Sequence, residues 1–181
     1  FPKLSVSAFG DNKLTTLNLG NSVETIGDYA FANGGLGIQG NKLTSVTIPN
    51  SVTTIGDYAF DSNKLISLTL GSGVEEIGEY AFACNELTSV TIPSNVEYIG
   101  QLAFDYNNLT GVTLGTNINL YMEYGAFYDD YDDYYGPNNI ASVEIPSSLS
   151  QSDACTMYYN IYQGFDNTPF IHNGIDLSSV C

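Results

Sequence analysis

At 181 residues the chain is one domain's worth, and its hydrophobic fraction of 43% is ordinary for a folded protein. Twenty acids against four lysines, with no arginine, give a formal net charge of −16, a field that repels phosphate backbones and anionic lipid and so excludes nucleic acid and membrane surfaces as partners. No apolar run approaches the roughly 18 residues that a membrane span needs, so membrane insertion is not expected.

In chain order, "LSVSAF" (4–9) reads as the tail of a unit whose first half is missing. Asn12 opens "NKLTTLNLGNSVETIGDYAF", which is followed by an insertion at about 32–40. Three units then align without a gap, "NKLTSVTIPNSVTTIGDYAFDS" (41–62), "NKLISLTLGSGVEEIGEYAFAC" (63–84) and "NELTSVTIPSNVEYIGQLAFDY" (85–106). A further unit, "NNLTGVTLGTNINLYMEYGAF" (107–127), carries one extra residue, placed near Gly125. A second insertion at about 128–137 precedes "NNIASVEIPSSL" (138–149), the head of a last unit. Fixed periods of this length signal a solenoid, so residues 1–149 are expected to be one coil stack, with a partial first repeat at 4–11 and an irregular C-terminal cap at 150–181.

The phase within a unit is physical. In "LTSVTI", Leu43, Val46 and Ile48 face inward while Ser45 and Thr47 face outward, the period of a short strand. Pro49 or its equivalent Gly71 ends the strand, Val52 and Ile55 return inward, and "DYAF" has room for a single helical or 3₁₀ turn before Phe60 plugs the core. Strand ends alternate between Gly and Pro, so the effective unit is two coils. The Asn opening each unit (Asn12, Asn41, Asn63, Asn85, Asn107) is expected to bond neighbouring backbone as a ladder.

The recurring "NxLTSVTIPxSVxxIGxYAF" resembles the BspA-like leucine-rich repeats of bacterial and protist surface proteins. The resemblance covers roughly three quarters of the chain. It implies a right-handed α/β repeat solenoid with a parallel sheet on its concave face and short helical or 3₁₀ turns. It also implies a secreted or cell-surface recognition module within a larger multidomain protein, and no enzymatic activity.

Candidate sites follow. Thr47, Thr69, Thr91 and Thr113 form an outward column on the strands, the expected contact surface for a protein ligand in adhesion. A Tyr/Asp cluster comprises Tyr121, Tyr124, Tyr128, Asp129, Asp130, Tyr131, Asp132, Asp133, Tyr134 and Tyr135. Tyr supplies broad contact area with few rotors to freeze, and its face suits a sugar ring whose hydroxyls the carboxylates accept, so the alternative function is carbohydrate binding. The same four aspartates offer oxygen ligands for Ca²⁺, although the EF-hand order is not met because Gly136 arrives too late. No other cofactor is expected. The single histidine, His172, has no catalytic partners at a recognisable spacing and is read as structural or surface. "GLGIQG" (35–40) follows a core Phe and opens no helix, so it is a loop. Of three cysteines, Cys155 and Cys181 are the expected disulfide, implying an oxidising compartment, and Cys84 is expected to be a buried free thiol.

Overall fold

The computed structural model describes residues 3–33, 41–117, 119–127, 138–165 and 168–181. The four coils from 41 to 127 each contribute two short strands, and the coil at 12–31 contributes one. The first coils supply β1 (Lys3–Leu4), β2 (Thr25–Ile26), β3 (Ser45–Thr47), β4 (Thr54–Ile55), β5 (Ser67–Thr69) and β6 (Glu76–Ile77). They are followed by β7 (Ser89–Ile92), β8 (Tyr98–Ile99), β9 (Gly111–Leu114), β10 (Tyr121–Met122) and β11 (Val143–Glu144). The C-terminal segment adds α1 (Gln151–Ile161), β12 (Phe170–His172) and β13 (Ile175–Asp176).

The chain is a parallel β-solenoid of about five turns at about 22-residue spacing. β3 pairs with β5 as a two-stranded parallel sheet, and β7, β9, β11 and β12 are parallel neighbours in a separate sheet next along the stack, with Val46 opposite Leu68 and Val90 opposite Val112. The second strand of each coil, which the sequence pattern left as an inward return, builds its own six-stranded parallel sheet in the order β1-β2-β4-β6-β8-β10. "DYAF" is not a 3₁₀ turn. Ala30 N–H donates to Gly27 C=O and Ala32 N–H to Tyr29 C=O, each at 3.2 Å, making two successive turns. Between them Tyr29 is left-handed at φ 56°, as are Tyr58 at 55° and Tyr80 at 51°, which breaks any continuous helix.

Two internal columns hold the coils together. Phe9, Phe31, Phe60, Phe82, Phe104, Phe127 and Phe165 stack in sequence, with centroids 4.6–5.4 Å apart. Burial of each ring from Phe31 onward contributes about 1.5–3 kcal/mol before any stacking preference, while Phe9 is 43% exposed. Beside them runs the Asn ladder. Asn85 Oδ1 accepts from Leu65 N–H at 3.0 Å, while its Nδ2 donates to the carbonyls of Phe60, Phe82 and Ala83. Asn63, Asn107 and Asn138 repeat this geometry between their own coils. One amide thus ties peptide groups of two adjacent coils together, and the buried N–H that donates to its oxygen would otherwise be unpaired.

The Gly/Pro alternation also has a packing cause. A β-carbon on Gly71 would lie 2.6 Å from the carbonyl of Pro49 in the coil beneath, and one on Gly115 would lie 2.5 Å from the backbone of Ser94. The Gly71 and Gly115 coils therefore settle directly onto proline coils, whereas a β-carbon on Gly20 would meet nothing within 4 Å. The extra residue of the 107–127 unit is absorbed before Tyr121 rather than at Gly125, because Tyr121 is already in register with Tyr98 and Met122 with Ile99.

The C-terminal segment is more regular than the sequence pattern indicates. Ser150 Oγ accepts from Asp153 N–H at 3.2 Å and caps α1, which buries Ala154, Met157 and Ile161. β12 extends the sheet beside β11, β13 turns back antiparallel, and Phe165 closes the ring column against Phe127.

Candidate functional site

The outward side of the first strands of the coils, β3 and β5 in one sheet and β7 and β9 in the next, carries Ser45, Thr47, Ser67, Thr69, Ser89, Thr91 and Thr113, all exposed. The strands that present them are only three or four residues long. Their register places Thr47 opposite Thr69 and Thr91 opposite Thr113. Strand stacking spaces such neighbours at about 4.8 Å. The result is a stripe of hydroxyls and methyls with no charge within it. Lys42, Lys64 and Glu86 lie at its near margin, and Glu144 ends it opposite Thr113.

The six-stranded sheet has the opposite character. Glu24, Glu75, Glu76 and Glu97 are exposed along it, and Tyr98 stacks on Tyr121 with centroids 6.3 Å apart. Burial, followed by the hydrogen bond to Glu123 and its charge, pushes Tyr98 up to about 12, so its phenol stays protonated. At the adjoining corner Tyr29, Tyr58 and Tyr80 stack at 4.8 Å intervals. Burial and then Glu79 push Tyr58 up to about 12 as well. This acidic, aromatic face was missed by sequence reasoning, because two-residue strands such as Thr54–Ile55 are too short to show alternation.

Of the Tyr/Asp cluster, Tyr121 and Tyr124 are 46% and 62% exposed, on and just after β10. Tyr128, Asp129, Asp130, Tyr131, Asp132, Asp133, Tyr134 and Tyr135, and with them the four aspartates of the Ca²⁺ expectation, lie outside the described residues. "GLGIQG" (35–40) also lies outside them. Among the described residues no group of three or more His, Cys, Asp or Glu side chains could hold a metal ion. Tyr158, Tyr159 and Tyr162 of the same aromatic-rich stretch belong to the C-terminal segment, where Tyr158 packs edge-on against Phe170 at 5.3 Å.

Cys155 and Cys181 are joined by a disulfide that ties α1 to the chain's last residue. Cys84 corrects an expectation: it is exposed, not buried. It occupies a left-handed position at φ 52°, as do Ser62 and Tyr106 in the neighbouring coils, and that backbone turns the side chain away from the core. The residue as a whole meets solvent while its sulfur sits against the groove between coils. Desolvation there, followed by the carboxylates of Asp61 and Asp105, pushes the thiol up to about 11, so it is protonated at neutral pH. His172 is 1% exposed within β12, its Nε2 2.9 Å from Asn173 Nδ2, a structural placement.

Among the described residues, two shallow grooves can be described. One of about 570 Å³ is lined by Leu17, Leu19, Ile48, Pro49 and Leu70 among others. The other, of about 580 Å³, lies beside Ser62, Cys84, Glu86 and Tyr106. Neither brings a nucleophile to a base.

The family model for the BspA type leucine rich repeat region matches residues 2–133 in six copies. The chain belongs to the BspA-type leucine-rich repeat family. The BspA-type coils explain the parallel stack, and a solenoid of this family is typically a non-catalytic, repeat-based protein-interaction module. No curated protein and no solved structure matches the chain significantly. No helix among the described residues is long and apolar enough to cross a membrane.

Proposed function

We propose that this protein is a recognition module of a secreted or cell-surface protein, binding a protein ligand in adhesion through the Ser/Thr stripe on β3, β5, β7 and β9. The observation that carries the proposal is the charge-free register of Thr47, Thr69, Thr91 and Thr113 on a chain of net charge −16. Interface cores are depleted of charge, since desolvating a carboxylate costs far more than desolvating a hydroxyl. Of the two strand faces, that of β3, β5, β7 and β9 offers such a core. The family's typical surface location and the Cys155–Cys181 disulfide support placement in an oxidising compartment.

The test is a protein microarray probed with wild type and with Thr69→Arg/Thr91→Arg. Spots bound by wild type and lost with the double variant support the stripe. Identical patterns overturn it.

A second reading is carbohydrate binding by the Tyr/Asp cluster, favoured by the exposure of Tyr121 and Tyr124 at its start. A glycan array with and without Ca²⁺, comparing wild type with Tyr131→Ala/Tyr134→Ala, decides it. Absence of glycan binding, or binding indifferent to both substitutions, removes this reading.

A further inference from the structure

Asn107 and Asn108 are neighbours in sequence and opposites in role. Asn107 is 1% exposed and belongs to the ladder: its Oδ1 accepts from Leu87 N–H at 3.0 Å, and its Nδ2 donates to the carbonyls of Phe82, Phe104 and Asp105. Asn108 is exposed, and among the described residues its amide makes no hydrogen bond. Its backbone N–H donates to Leu87 C=O at 2.9 Å, as Glu86 N–H does to Leu65 C=O and Lys64 N–H to Leu43 C=O. Lys64 and Glu86, at the same place in their coils, are exposed too. The fold thus aims this position at solvent in successive coils and accepts a long side chain there.

What singles out this coil is the residue two places on. Thr110 is exposed, and it makes Asn108-Leu109-Thr110 the one Asn-x-Ser/Thr tripeptide of the sequence. Exposed Asn50, Asn95 and Asn139 have Val52, Glu97 and Ala141 at that place. Such a tripeptide at the surface of a secreted chain is the acceptor of N-linked sugar. A groove of about 580 Å³ adjoins Asn108, with Glu86 and Tyr106 in its lining. It has room for a first pyranose, with the Tyr106 ring offering apolar surface to sugar C–H groups and the Glu86 carboxylate accepting from hydroxyls.

We propose that Asn108 carries an N-linked glycan. The donor is a lipid-diphosphate-linked oligosaccharide. Asn108 Nδ2 attacks C1 of its reducing-end sugar: the N–C1 bond forms, the bond from C1 to the diphosphate oxygen breaks, and the amide gives up one proton as the lipid diphosphate leaves. Leu109 is fully buried in the folded chain, so transfer precedes closure of this coil. The glycan projects from the margin of the Ser/Thr stripe and leaves the Asn ladder intact. The site depends on the secreted placement proposed above, where glycan transfer and disulfide formation share a compartment.

Mass spectrometry of the protein isolated from its own cells tests the proposal. Digestion with a peptide-N-glycosidase in heavy-oxygen water should convert Asn108 to labelled aspartate. In chains secreted from the same cells, Asn108→Gln and Thr110→Ala should each abolish the glycan, and Thr110→Ser should keep it. Both loss variants should fold, because Lys64 and Glu86 stand at the Asn108 place in other coils and Thr110 is exposed. Unlabelled Asn108 in a chain whose Cys155–Cys181 disulfide is formed overturns the glycan and leaves the secreted placement standing. Unlabelled Asn108 with both cysteines free overturns the two together. A glycan that survives Thr110→Ala overturns the assignment to this tripeptide.

Discussion

Phe127 and Phe165 stack with centroids 4.6 Å apart and planes 4° apart, so the ring column of the repeats runs on into a segment that does not repeat. Phe127 N–H also donates to Gly164 C=O at 2.8 Å, docking the same two chain regions through backbone. Phe165→Ala should therefore destabilise by about 3–5 kcal/mol, the usual cost of emptying an aromatic core site. Chemical denaturation followed by far-UV circular dichroism measures it. A loss below about 1 kcal/mol would mean that the segment is not packed as described.

The Asn ladder gives a sharper case. Asn85→Ala would remove an acceptor from Leu65 N–H and a donor from three carbonyls, all buried. Phe60 C=O keeps Asn63 Nδ2, Phe82 C=O keeps Asn107 Nδ2 and Ala83 C=O keeps Ser62 N–H, so Leu65 N–H is the group left unpaired. An unpaired buried group costs about 1–3 kcal/mol, and the substitution should destabilise by about that much. Asn12→Ala, at an exposed position with one local bond, should change stability by less than about 0.5 kcal/mol.

Asp61 gives a pH dependence with a definite sign. Burial pushes its carboxyl up from 3.8 to about 6, against the hydrogen bonds from Ser62, whose Oγ donates to Oδ2 at 3.0 Å. Between these values the folded state holds more protons than the unfolded state, so this group weakens the fold as pH rises from about 4 to 6, and fully above that. Asp61→Asn should stabilise at pH 7 by about 1–2 kcal/mol, allowing for solvent screening of a half-buried group, and make almost no difference below pH 4. Melting temperatures across this range check both halves of the prediction.

Cys84 combines exposure with left-handed backbone at φ 52°. Cys84→Gly should raise stability by about 0.5–1 kcal/mol, since relief of the β-carbon strain exceeds the added entropy of the unfolded glycine. In wild type, alkylation by iodoacetamide should be slow at pH 7 despite that exposure and should accelerate as pH climbs toward about 11.

Much of this architecture was legible in the sequence. Asn63 and Phe60 recur at a fixed interval because each must meet its own counterpart in the next coil, and such internal contacts leave a repeat as their trace. The outward stripe was equally readable from the alternation in "SVTI", a strand long enough to show its period. The six-stranded sheet was not, because Thr25–Ile26 or Glu76–Ile77 offers one inward and one outward residue and no period at all. Helix α1 left its signals in Ser150, Asp153 and the buried spacing of Ala154, Met157 and Ile161, but a single helix after a long repeat has no second copy to confirm it. The exposure of Cys84 is set by backbone φ, which its identity does not encode; glycine or asparagine there would have signalled it.

The account's central claim is that recognition belongs to the Ser/Thr stripe and is separable from the fold. The direct measurement is the Kd of the strongest array-identified protein for wild type, Thr69→Arg/Thr91→Arg and Tyr131→Ala/Tyr134→Ala, with melting temperatures recorded alongside. The predicted result is at least a tenfold loss for the Thr variant at unchanged melting temperature, and wild-type affinity for the Tyr variant. Unchanged binding by the Thr variant, or a loss confined to the Tyr variant, would contradict it.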